Sequence, residues 1–105
     1  MSEYRTFFNV ITLPEGKEDE AFEAWKAVGR YMETQEGFVG STLYRNQRNP
    51  RMLINHGTYV STETFLASVK SKEFEALSQK LTDLGVERIA GLYDAVHSFG
   101  GGAGG

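Results

Sequence analysis

The sequence predicts an α+β domain with the element order β-α-β-β-α-β, and three observations carry that prediction. An apolar run, Phe7-Phe8-Asn9-Val10-Ile11-Thr12-Leu13, breaks at Pro14-Glu15-Gly16 and gives way to apolar residues at helical spacing. Two further strand-like segments flank a polar turn, Asn46-Gln47-Arg48-Asn49-Pro50, which marks a hairpin. A second helical pattern between Ser61 and Gly85 then leads into a last strand. This order is the split βαβ arrangement of ferredoxin-like folds, an antiparallel sheet with both helices on one face.

Each element has a local reason. The first strand spans residues 4–13. Glu18, Asp19 and Glu20 open the first helix with acid in its first turn, where the helix dipole favours negative charge. Ala21, Phe22, Trp25, Val28, Gly29 and Met32 form its apolar stripe, and Gly37 is expected to cap its C-terminus. Strands at 38–46 and 51–60 make the hairpin. Ser61 caps a second helix that breaks near Ser71, which recaps a piece carrying Phe74, Leu77, Leu81 and Leu84 before Gly85 closes it. The last strand is expected over 88–99. One domain thus fills 1–99, and the glycine-rich residues 100–105 read as a flexible tail.

Composition narrows the class. At 105 residues, 40% hydrophobic and 24% charged, the chain has the make-up of one soluble globular domain. A net charge of -3 without a basic run or face argues against nucleic acid and anionic membranes as partners. Zero cysteines exclude disulfides, thiolate catalysis and zinc-thiolate sites, and fit a reducing compartment. The N-terminus lacks a signal-peptide pattern and no run of about 18 apolar residues occurs, so the expected location is cytoplasmic. No metal-ligand spacing, triad order or phosphate-cradling loop is present.

Two features of the first strand ask for explanation. Asparagine is depleted in strands and costly to bury unpaired, so Asn9 at the centre of an apolar run needs a partner: backbone, water or a ligand. The strand is also apolar on both sides, with Phe8 and Val10 on one parity and Phe7, Ile11 and Leu13 on the other, whereas a half-solvated strand alternates with polar residues. A second copy packed sheet against sheet is the economical cover, giving an isologous homodimer.

The stretch from Phe8 to about Phe74 resembles the antibiotic biosynthesis monooxygenase family. The resemblance rests on Asn9, on Pro14-Glu15-Gly16-Lys17-Glu18-Asp19 with Phe22 and Trp25, on Gln35-Glu36-Gly37-Phe38-Val39, and on Leu53-Ile54-Asn55-His56-Gly57-Thr58-Tyr59-Val60-Ser61 leading to Phe65. It implies a dimeric α/β barrel and a monooxygenase that oxidises an aromatic, polyketide- or quinol-like small molecule with O2 and no cofactor. The family's haem degraders resemble the chain at Asn9, but Tyr59 stands where they carry tryptophan and Ser78 where their axial histidine would lie. Its polyketide oxygenases resemble it at Asn55, with Tyr59 again in place of tryptophan and Phe65 in place of a tyrosine.

A cofactor-free oxygenase needs a substrate that supplies the electrons as a phenolate or hydroquinone anion. Amide donors in a dry pocket stabilise a developing oxyanion without charge of their own, a role that suits Asn9 and Asn55. Tyr59 shares strand parity with Asn55, and Gly57 between them is expected to leave space for a flat ring. The candidate catalytic residues are therefore Asn9, Asn55 and Tyr59, with Phe22, Trp25, Gly57 and Phe65 as candidate substrate-binding residues; by default the aromatics among them are core. His56 has the parity opposite to Asn55 and is expected on the dimer side, while His97 falls in the last strand. A haem-binding member, and a non-catalytic binder or isomerase on the same scaffold, are the alternatives.

Overall fold

The computed structural model describes residues 3–101. Seven elements follow one another: β1 Arg5–Thr12, α1 Glu18–Glu33, β2 Phe38–Arg45, β3 Met52–Tyr59, α2 Thr62–Val69, α3 Lys72–Leu84 and β4 Glu87–Tyr93. The strands form one sheet in the order β2-β3-β1-β4 with every neighbouring pair antiparallel. This is the ferredoxin-like α+β architecture, with its second helix divided into α2 and α3 at Ser71. No helix among the described residues is long and apolar enough to cross a membrane.

Side-chain parity sets the two faces. Register pairs Asn9 with Asn55 and with Ala90, and Ile11 with Leu53 and with Arg88, so these residues share the helix-covered side. There Ile11, Leu13 and Leu53 are fully buried and pack with Trp25, Val28, Met32 and Leu81 from the helices. The opposite face carries Phe8, Val10, Tyr44, Ile54, His56, Ile89 and Tyr93. Ile89 is 71% exposed and Tyr44 56% exposed. His56 stacks on Phe8 there, with ring centroids 4.9 Å apart.

Local chemistry explains most boundaries. Ser61 and Ser71 each accept from the backbone N–H three residues on, Thr64 at 3.1 Å and Phe74 at 3.0 Å. Gly85 ends α3 in the left-handed region at φ 93°, and Val86 N–H donates back to the Leu81 carbonyl, closing a Schellman cap. In the β2–β3 turn, Asn46 Oδ1 accepts from the Arg48 and Asn49 backbone N–H groups, both at 2.8 Å.

Two expectations are corrected. Gly37 does not cap α1, which ends at Thr34 in right-handed geometry, with Thr34 Oγ1 donating to the Tyr31 carbonyl at 2.6 Å. Gly37 instead turns the chain into β2 at φ 88°, and an added Cβ would fall inside the Thr64 side chain, so glycine is required there on both counts. The last strand spans 87–93 rather than 88–99. Its pairing ends where β1 begins, with Tyr93 opposite Thr6, and past that point no strand remains to accept it. His97 therefore lies beyond the sheet, and Val96 and Phe99 are 93% and 91% exposed. Of the expected flexible tail, residues 102–105 lie outside the described residues.

Candidate functional site

A cavity of about 260 Å³ opens between the helix-covered face of the sheet and the three helices. That volume is just under the roughly 300–1,000 Å³ common for small-molecule sites, which suits a compact ring system. Its floor comes from the central strands, with Phe7 and Asn9 of β1, Asn55 and Tyr59 of β3, and Ser41 and Phe38 of β2. Trp25, Val28 and Met32 of α1 form one wall. The roof is divided between Phe65 and Val69 of α2 and Phe74, Ser78 and Leu81 of α3, and Arg88 of β4 closes one side.

The strand period of two builds the polar centre. Asn9 and Asn55 face each other across β1 and β3 and are 5% and 9% exposed. The Asn9 Oδ1 is buried and has no hydrogen-bond partner among the described residues. An unpaired buried acceptor of this kind costs roughly 1–3 kcal/mol, a burden that a strand-centre leucine would avoid. The amide faces a cavity instead of a backbone partner.

Aromatic rings hold Tyr59 in place. Phe7, Phe38 and Phe65 contact it edge-on, with centroids at 6.2, 5.5 and 5.0 Å. Burial pushes the Tyr59 phenol up to about 12, so it is a neutral hydroxyl at any physiological pH and can donate a hydrogen bond but not act as a base. No aspartate, glutamate or histidine among the described residues lines the cavity. Among the described residues no group of three or more His, Cys, Asp or Glu is placed to hold a metal ion.

Five of the residues singled out in the sequence, Asn9, Asn55, Tyr59, Trp25 and Phe65, meet in this cavity. Phe22 and Gly57 do not. Phe22 lies three residues before Trp25 on α1 and faces a surface groove, where the Arg45 guanidinium sits 5.4 Å from its ring and Lys26 5.0 Å. Above Gly57 the space belongs to the protein's own side chains, because a Cβ there would meet the Tyr59 ring at 3.3 Å and the Phe7 ring at 3.6 Å. Its missing side chain lets Tyr59 and Phe7 pack over the strand.

Sequence reasoning missed Arg88 and gave Ser78 no positive role. Arg88 NH2 donates to Ser78 Oγ at 3.2 Å and to Thr82 Oγ1 at 3.1 Å, fastening β4 to α3 beside the cavity. The available signal was parity, since Arg88 alternates with Ala90 and Leu92 on one side of β4.

Comparison with known proteins agrees with the architecture. The sequence profile described as "Antibiotic biosynthesis monooxygenase" matches residues 6–80. SnoaB from Streptomyces nogalater, a cofactor-independent oxygenase, superposes with a TM-score of 0.82 at 22% identity, covering 92% of this chain and 97% of that one. A protein described as an antibiotic biosynthesis monooxygenase gives 0.76 at 11% identity over 89% and 99%. A conserved protein from Methanosarcina mazei gives 0.76 at 16% identity over 86% and 90%. At these identities the structures share a fold with this chain. No curated protein sequence matches it.

Proposed function

The chain belongs to the antibiotic biosynthesis monooxygenase family, and from that premise we propose that it is a cofactor-independent monooxygenase oxidising a small aromatic or polyphenolic molecule with O2. The observation that carries this reading is the pair of buried amides, Asn9 and Asn55, side by side in an aromatic cavity with the Asn9 oxygen unpartnered. Burying such an acceptor is a cost that a bound hydroxyl donating to it removes, while the amide N–H groups are free to donate to an oxyanion.

In the proposed reaction the substrate anion supplies the electrons. It passes one electron to O2, the resulting radical pair joins through a carbon–oxygen bond, and the hydroperoxide loses water to leave a quinone. A phenol and O2 thus become a quinone and one water. The protein's part is to hold the ring between Trp25 and the α2–α3 roof, to exclude water, and to offer the two amides and the neutral Tyr59 hydroxyl to the oxygen that carries charge.

We assign the active form to a homodimer formed through the open sheet face, supported by its exposed apolar residues. A cytoplasmic setting is supported by the absence of cysteine. The haem alternative finds no support in the cavity, whose lining offers the iron no histidine or thiolate.

Oxygen uptake with a panel of hydroquinones tests the activity. Asn9→Ala and Asn55→Ala are expected to lower turnover ten- to hundredfold, about 1.5–3 kcal/mol for a hydrogen bond to a charged group, with melting temperatures close to the parent. Lower melting temperatures with activity intact would make both amides scaffold.

A further inference from the structure

The cavity contains a cation that the chemistry above leaves unused. Arg88 reaches it from β4, diagonally across from Asn9, whose direct partner on that strand is Ala90. Diagonal neighbours in an antiparallel pair lie about 7–8 Å apart, well within the span of an arginine side chain. The guanidinium is half-buried and every acceptor it meets is neutral: the Val86 carbonyl at 3.4 Å, the Ser78 carbonyl at 3.4 Å, Ser78 Oγ and Thr82 Oγ1. The single ion pair among the described residues, Lys26 with Glu23, lies elsewhere on α1.

Arg88 is only part-buried, so water shares its solvation with these hydroxyls and carbonyls, but no carboxylate among the described residues lies within ion-pair distance of it. Burial also pulls the Arg88 guanidinium below its ordinary range, yet arginine stays charged. The compensating negative charge is therefore absent from the described chain. The second observation is that among the described residues no carboxylate or imidazole lines the cavity to take a proton from a substrate hydroxyl. What the described lining offers a substrate hydroxyl is a positive charge that favours its ionised form.

We infer that Arg88 determines the charge of the ligand this site accepts, so that its substrate binds as a ring oxyanion, an ionised phenol or enol, with the anionic oxygen between Arg88 and the Asn9–Asn55 pair. This rests on the oxygenase reading for the place, aromatic nature and ionised state of the ligand, and adds the residue that selects that state. Ser78 and Thr82 are positioning residues. They hold the guanidinium at the cavity edge, and an anion close by strengthens each bond through charge assistance.

Two probes of nearly equal shape test the assignment: the hydroxynaphthoquinone lawsone, which is ionised at neutral pH, and its methyl ether, which cannot ionise. The parent is expected to bind lawsone at least about tenfold tighter than the ether, measured by calorimetry and by quenching of Trp25 fluorescence. Arg88→Gln should reduce that preference to about twofold or less, and Arg88→Lys should keep part of it. The visible absorption of bound lawsone, titrated with acid, should give a pKa about one unit or more below the free value in the parent and unshifted in Arg88→Gln.

A clip that merely fastens β4 to α3 predicts otherwise: Arg88→Gln would lower the melting temperature and weaken both probes equally. That result, or no preference for the anion in the parent, overturns the inference. Its fate is separable from that of the oxygenase reading, because anion preference without oxygen uptake sustains the first and sinks the second, and oxygen uptake without anion preference does the reverse.

Discussion

On the helix-covered face of the sheet, Asn9 and Asn55 stand side by side among buried hydrophobics, whereas on the opposite face Ile54, Ile89, Tyr44 and Tyr93 stand exposed. The two faces share the same four strands and differ only in parity, so neither misfit can be traced to the backbone. Polar groups placed where apolar ones belong describe a chemical site. Apolar groups placed where polar ones belong support the proposed contact between copies. One strand, β1, supplies both, with Asn9 pointing one way and Phe8 and Val10 the other.

The largest effect expected from breaking this comparison is on assembly. Replacing Ile54 and Ile89 together with glutamate puts two charges in the middle of the open face and should convert a particle of about twice 11.7 kDa into one of 11.7 kDa by light scattering. A parent that is already monomeric would remove the contact-surface reading altogether. On the covered face, Asn9→Leu removes an unpaired amide acceptor and should hold or raise the melting temperature while weakening an aromatic ligand by about tenfold or more. A fall in both would mean that the amide supports the fold.

Smaller effects sharpen the boundary of the site. Because burial raises the Tyr59 phenol from 10.0 to about 12, the folded state keeps its proton longer than the unfolded chain. Its contribution is complete below pH 10 and is lost as the pH climbs toward 12, so the parent should lose stability across that window more steeply than Tyr59→Phe, as read from melting curves. The smallest change is expected at Phe22, which touches Arg45 and Lys26 outside the cavity. Phe22→Ala should leave ligand affinity within about twofold, against a much larger loss for Trp25→Ala one turn along the same helix.

The pattern of what sequence could anticipate follows the range of the forces involved. The caps at Ser61, Ser71 and Gly85 are readable because each satisfies backbone groups within a few residues. The convergence of Asn9, Asn55 and Tyr59 is readable because strand parity is local and the family resemblance picks out residues on both β1 and β3. Gly37 reads as a cap because a glycine after a helix serves equally as a cap or as the following turn, and its close approach to Thr64, twenty-seven residues away, has no local signal. The last strand reads as longer than it is because its composition continues past Tyr93 while its pairing with β1 ends there. Arg88 was invisible for a similar reason: an arginine opening a strand resembles a solvated end until β4 is placed beside β1 and under Ser78.

The break at Ser71 has a consequence for how such a site diversifies. The sheet holds its two amides by register, a geometry with almost no freedom, but the surface above them is made from two short helices meeting at a joint. Tyr31 fastens that joint from α1, its hydroxyl donating to the Ser68 carbonyl at 2.9 Å and meeting the Ser71 hydroxyl. Either helix can therefore be resurfaced through Val69 or Phe74, which line the cavity, while the strand register that pairs the amides stays as it is. The roof that shapes the ligand's space and the polar centre on the strands thus lie in different parts of the chain, and a lineage can retune the first while inheriting the second.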